Sequence, residues 1–228
     1  MRPDDRKDLR ATPLFAALSD EHFARVCDGA VVHAMPRGAL LCRQGEQPEF
    51  LHVILSGRVA LIAANARNEE TVVEFFDSGD SFIAAAVILD APYLMSARVV
   101  HDARVALLSA ERFRADLTAV PALGLSLAMQ FAGYWRRLIR QIKDLKLRSG
   151  AERLAVYLIA LSGRDSGAAT LALPQERKLI AAHIGITPES LSRAFITLRP
   201  LGVSGRGRTV TIADIARLRA FCGADDPT

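Results

Sequence analysis

The chain has 228 residues, half of them hydrophobic and 24% charged, with a formal net charge of +4. That length suits one large or two modest domains with real cores, and the positive balance fits a nucleic-acid partner without requiring one. No apolar run approaches the roughly 18 residues that cross a bilayer, and MRPDDRKDLR lacks the core of a secretion signal, so a cytoplasmic protein with no membrane partner is expected.

Residues 1 to about 27 read as short helices, with Leu14, Phe15, Phe23 and Val26 as the apolar face and Ser19-Asp20 as a cap. From about 30 to 110, β-rich runs such as VVHAM, FLHVIL, SGRVALIAA, ETVVEFF and ARVALLS alternate with turn signals. Gly38, Gly45, Gly57 and Gly79 fall between them as turn residues. This spacing predicts an antiparallel sandwich or barrel.

A long helix is predicted from about Ala122 to Leu147. Leu127, Phe131, Tyr134, Leu138, Ile142 and Leu145 recur at steps of three or four and form one apolar stripe. A helix of ~25 residues is about 37 Å long, more than packing within one domain requires, so the stripe is read as a parallel dimer seam. Ser149-Gly150 interrupts the pattern and is read as a hinge. Ala151 to Leu161 is a further amphipathic helix, followed by a loop and the short strand LALP.

The segment Leu179 to Leu198, LIAAHIGITPESLSRAFITL, has the spacing of a helix-turn-helix. Gly185 stands at the turn, Ile180, Ile184, Ile186, Leu191 and Ala194 supply the shared core, and Thr187-Pro188 starts the second helix. Glu189, Ser190, Ser192 and Arg193 are left on its outer side, all able to bond base edges. VSGRGRTVTI then reads as a tight hairpin whose tip carries Arg206 and Arg208, the composition of a phosphate-touching wing.

This order resembles the CRP/FNR family of bacterial transcription regulators, from about Leu14 to Leu218. The resemblance implies an α+β fold. Residues 1–118 would form an N-terminal antiparallel β-roll of the jelly-roll, cyclic-nucleotide-binding-like type that senses an effector. Residues 119–148 would be a dimerisation helix, and 149–228 a C-terminal winged helix-turn-helix that binds DNA. Glu189-Ser190-Leu191-Ser192-Arg193 is similar to the Glu-x-x-Ser-Arg signature of the FNR branch, which implies a homodimer on double-stranded DNA with palindromic TTGA-type half-sites. Arg193 would fork to guanine, Glu189 accept from a cytosine amino group, and Ser192 make a more tolerant contact. Thr187, Ser190 and Arg199 are expected as phosphate anchors or solvent-facing bystanders. The resemblance also implies RNA polymerase as a partner and activation as the mode.

The sensing cassette departs from the cyclic-AMP-binding pattern. Ile83-Ala84 stands where Gly-Glu is expected, and Met95 stands where an arginine would pair with the cyclic phosphate. Methionine cannot neutralise that anion, and Arg98, three residues on, points to the opposite strand face. The expected effector pocket is therefore Phe82, Ile83, Ala84, Met95 and Ser96, and the effector is not a cyclic nucleotide. An apolar ligand, a haem, or packing against the long helix are the alternatives.

The DAPYLMSAR stretch is similar to the nitric-oxide-responsive regulators of denitrification, some of which use haem. Cys27, Cys42 and Cys222 are too few for an all-cysteine cluster, so no iron–sulfur centre is expected. His22, His33, His52, His101 and His183 show no paired ligand spacing. A constitutive regulator without effector, and a small-molecule-binding module whose C-terminal domain makes protein contacts, are the rival readings. No nucleophile–base pair or phosphate-binding loop points to an enzyme.

Overall fold

Ser19 accepts the backbone N–H of His22 at 3.2 Å and so caps α2 (Asp20–Val26), which follows α1 (Pro3–Arg10). The computed structural model describes residues 1–65, 67, 69–173 and 176–223, which divide into two units, Met1–Trp135 and Arg136–Thr228. Among the described residues, no single helix is long and apolar enough to cross a membrane.

The first unit continues with β1 (Val31–Met35), β2 (Leu40–Cys42), β3 (Phe50–Ala64), β4 (Glu70–Asp77), β5 (Ser81–Phe82), α3 (Ala84–Leu89), β6 (Ser96–Ser109), α4 (Ala110–Ala119) and the start of α5 (Pro121–Leu147). The pairing is antiparallel in the order β1-β6-β3-β4, with β2 added to β6 and β5 to β3. Successive strand residues point to opposite faces, and β3 uses both. Leu51, Val53 and Leu55 join a core with Leu9, Phe15, Phe113 and Leu127 from the helices. Ile54, Val59 and Leu61 join a second core inside the roll with Phe76, Phe82 and Val99.

Two expected runs, FLHVIL and SGRVALIAA, form the single 15-residue strand β3, and Gly57 is not a turn between them. Its φ is +90°, the pairing with β6 shifts register around it, and a Cβ there would collide with the Asp102 carbonyl and lie 2.6 Å from Ala103 Cα. Glycine is required because two backbones nearly touch.

The 27-residue α5 confirms a long helix, but half of the expected dimer stripe is used elsewhere. Leu127 is 4% exposed in the helix–sheet core, Phe131 packs against that core, and the Tyr134 hydroxyl donates to the Ser81 carbonyl at 2.6 Å. Leu127 is thereby committed to its own roll, and Phe131 and Tyr134 contact it while staying partly exposed. The outward side of the same turns carries Leu125, Met129 and Trp135, 67%, 69% and 64% exposed.

In the second unit, Leu138, Ile142 and Leu145 are exposed, yet Leu145 lies against the turn glycine, Gly185. The unit continues with α6 (Gly150–Ser162), β7 (Ala169–Ala172), α7 (Arg177–His183), α8 (Pro188–Leu198), β8 (Val203–Arg206), β9 (Thr209–Ile212) and α9 (Ile215–Phe221). Its small sheet runs β7-β9-β8.

The break at Ser149-Gly150 exists, but it is a capped helix start. Ser149 and Glu152 exchange backbone bonds at 3.3 and 2.6 Å, and Arg148 donates to Asp144 and to the Cys222 carbonyl. Gly57→Ala is expected to lower stability by roughly 2–4 kcal/mol, through overpacking and a left-handed backbone. The shift of the urea midpoint measures it, and an unchanged midpoint contradicts the close approach.

Candidate nucleic-acid interface and ligand cavity

The helix-turn-helix is held by local rules. Gly185 takes φ +68° at the turn, the Ile186 N–H returns to the Ala181 carbonyl at 2.9 Å, and Ile180, Ala181, Leu191 and Ala194 are buried between the helices. The Arg153 guanidinium donates to the Gly185 carbonyl at 3.1 Å and so braces the turn from α6. Thr187 caps α8 by accepting the Ser190 N–H at 3.2 Å, and Pro188 occupies the first turn.

Burial of one side of α8 leaves Glu189, Ser192 and Arg193 exposed on the other. The Glu189 carboxyl is held below its usual range by its own backbone N–H first, then by Thr187 and the charge of Arg193. It therefore presents acceptors only at neutral pH. Arg193 donates to the Ser190 hydroxyl at 2.7 Å, and Ser192 donates to the Pro188 carbonyl at 3.2 Å. Ser190 thus orients Arg193, and Thr187 is occupied as a cap with its hydroxyl 3.1 Å from that of Ser190.

Arg199 lies at the end of α8 and lines a cleft of about 440 Å³ with Arg177, Ser192, Phe195 and Ser204. Arg177 was not anticipated. Its guanidinium stacks 4.6 Å over the Phe195 ring and donates to the Gly207 carbonyl at 3.3 Å, tying the start of α7 to the wing. Its sequence signal, a lone basic pair with Lys178 opening an amphipathic helix, is too common to single out. The hairpin forms as expected. Arg208, however, folds back to donate to the Leu173 carbonyl at 2.8 and 3.1 Å, because the unpaired backbone beside β7 needs a donor there. The side chain of Arg206 lies outside the described residues.

The expected effector residues sit in or against the interior core of the roll. Phe82 is 1% exposed, with its ring 5.2 Å from His52 and 5.8 Å from Phe76. Ala84 is buried at the start of α3, Ile83 takes φ +57° ahead of it, and Ile83 and Met95 pack on the interior core. Ser96 accepts the Gln44 N–H at 3.0 Å. Arg98 forks onto Glu70 with both bonds at 2.8 Å, so it is committed away from the position Met95 holds.

A cavity of about 600 Å³ opens elsewhere, lined by residues that include Leu40, Cys42, Phe50, His52, Tyr93 and Leu107 and by none of the five expected ones. Burial pushes the Cys42 thiol up to about 11 and the Tyr93 phenol up to about 12, so both are neutral at pH 7. Among the described residues, no group of three or more His, Cys, Asp or Glu side chains is placed to hold a metal ion.

An antiparallel roll, a long helix and a winged helix-turn-helix define a DNA-binding regulator with a sensing domain. The profile of the cyclic nucleotide-binding domain matches residues 32–118, and that of the Crp-like helix-turn-helix domain matches residues 152–221. A Ruegeria pomeroyi protein, solved as a candidate cyclic nucleotide binding protein, is 31% identical, with a TM-score of 0.64 over 98% of this chain and 100% of that one. The Cyclic AMP receptor protein of Thermus thermophilus is 24% identical over 92% of this chain and 96% of its own length. FixK2 of Bradyrhizobium japonicum shares the fold at a TM-score of 0.71 and 21% identity, covering 87% of this chain and 98% of its own. The chain belongs to the CRP/FNR family of transcription regulators.

Arg177→Ala is expected to weaken binding to matched and scrambled duplexes equally and to reduce the slope of log affinity against log salt by about one unit. Fluorescence anisotropy across a salt series checks it, and an unchanged slope contradicts a phosphate role.

Proposed function

We propose that this regulator acts as a homodimer on palindromic DNA with TTGA-type half-sites, under the control of a ligand in the roll that is not a cyclic nucleotide. The observation that carries the reading is the exposed face of α8. Glu189, Ser192 and Arg193 stand together there, with an ionised acceptor and a guanidinium oriented by Ser190. Arg193 suits guanine O6 and N7, Glu189 a cytosine amino group, and Ser192 a tolerant third contact. Arg177 and Arg199 line one cleft with Ser192, and Thr187, Ser190, Arg199, Arg206 and Arg208 are proposed to meet phosphates.

Residues 119–148 supply the dimer element, through the exposed Leu125, Met129 and Trp135 and the exposed half of the expected stripe, Leu138, Ile142 and Leu145. Leaving large apolar side chains wet along a helix is unfavourable without a partner. Two recognition helices must then match half-sites about 34 Å apart, and a ligand that favours that spacing acts allosterically. Activation through contact with RNA polymerase, in the cytoplasm where the DNA is, completes the reading.

The pattern around Met95 supports a non-nucleotide ligand, since Arg98 is already held by Glu70. Haem fits the cavity poorly. Glu46 and Glu49 line it without a lysine or arginine to meet two propionates.

Arg193→Ala is expected to cut the affinity ratio between matched and single-mismatch operators by tenfold or more while weak nonspecific binding persists. Competition binding on duplexes carrying TTGA-type half-sites measures this. An unchanged ratio contradicts the assignment.

A further inference from the structure

We propose that Ile196 reads a thymine methyl group in the major groove and so adds an apolar contact to the polar ones of α8. The proposal deepens the DNA reading and rests on it. Side chains that repeat at steps of three and four share a helix face. Ile196 follows Glu189 by seven residues, Ser192 by four and Arg193 by three, and all four side chains are exposed. At about 100° per residue, Ile196 points between the directions of Arg193 and Ser192, near the middle of the face they form.

The rest of the second unit past α5 covers its large apolar groups. Leu191, Ala194 and Leu198 turn inward from α8 and are buried, and Phe195 is covered by the Arg177 guanidinium at 4.6 Å. Among the described residues beyond Leu147, Ile196 is the one large apolar side chain left exposed, at 57%. It lines the cleft shared with Ser192, Phe195 and Arg199.

Neither helix propensity nor packing selects isoleucine at this position. A β-branched residue is a poorer helix former than alanine, lysine or glutamate, and an exposed one gains little from the core. What it supplies is a stiff methyl surface. In a helix its first torsion is held in one rotamer, so docking it costs little side-chain freedom. Thymine is the base whose major-groove edge carries an apolar group, the C5-methyl, and apolar side chains contact it. Glu189, Ser192 and Arg193 read donors and acceptors, which that methyl is not. Ile196 lies about 4.5 Å further along the helix axis than Arg193, which puts its contact at a neighbouring base pair rather than at the guanine.

The test compares thymine with deoxyuridine, which lacks that methyl alone. The full chain is titrated by fluorescence anisotropy against a duplex with two TTGA-type half-sites. Further duplexes carry deoxyuridine at symmetric thymines, one position at a time. The wild type is expected to lose about tenfold in affinity at one thymine position, counted over both half-sites, and little at the others. Ile196→Ala binds the parent duplex more weakly and is indifferent to the methyl at that position, whereas Ile196→Val keeps part of the preference. Far-UV circular dichroism confirms that the variants keep their helices.

A wild type indifferent to every thymine methyl, or a preference that persists in Ile196→Ala, overturns the proposal. An Ile196→Ala loss that is equal on matched and scrambled duplexes marks a contact with sugar or phosphate and overturns it too. Selectivity that depends on Arg193 but shows no methyl effect removes the role of Ile196 alone. A wild type with no preference for matched over scrambled duplexes removes the half-site reading and the proposal with it.

Discussion

Ser81 is the point on which the first unit turns. It is fully buried at the edge of the roll, its hydroxyl donates to Gln130 at 2.5 Å, and its carbonyl accepts the Tyr134 hydroxyl at 2.6 Å. With Leu123 and Leu127 buried beneath, these bonds fix which side of α5 faces the sheet. An unpaired buried hydroxyl or carbonyl would be costly, so the helix cannot rotate to offer this side to another molecule. What it presents outward follows, and Leu125, Met129 and Trp135 are what it presents. The proposed occupant of this side is a second copy of the chain.

The second unit solves a different problem, which is to hold polar side chains outward on a short helix. Caps and turns do this. Thr187 ends the turn, Gly185 takes the conformation that other residues resist, and Arg153 ties that turn to α6. The reading face is therefore rigid in its backbone and adaptable in its side chains. Arg193 is held by one bond to the Ser190 hydroxyl, and in the proposed complex it would exchange that bond for the two of a guanine edge.

Features written in neighbouring residues were legible in the sequence. Gly185, Thr187 and Pro188 announce the turn because the rules there span a few residues, and the apolar alternation of the strands announces an antiparallel sheet. A period of 3.6 shows that Leu127, Phe131 and Tyr134 share a stripe but not that their own sheet covers part of it. Gly57 looked like a turn because the collision with Asp102 and Ala103 involves a strand more than forty positions away. The cavity was hidden for the same reason. Cys42, His52 and Leu107 meet only when β2, β3 and β6 pair, whereas Phe82 and Ala84 of the expected pocket are buried in packing. Arg208 illustrates the converse, since its place in a glycine-rich tip said nothing of the carbonyl of Leu173.

The central claim is that two copies pair through the outward side of α5. Sedimentation equilibrium of the full chain at micromolar concentration tests it most directly, against the chain mass of 24.7 kDa. The account predicts twice that mass for the wild type, and a single-chain mass for Met129→Glu with an unchanged far-UV circular dichroism spectrum. A wild-type chain that sediments as a monomer, or a Met129→Glu variant that stays dimeric, would contradict it.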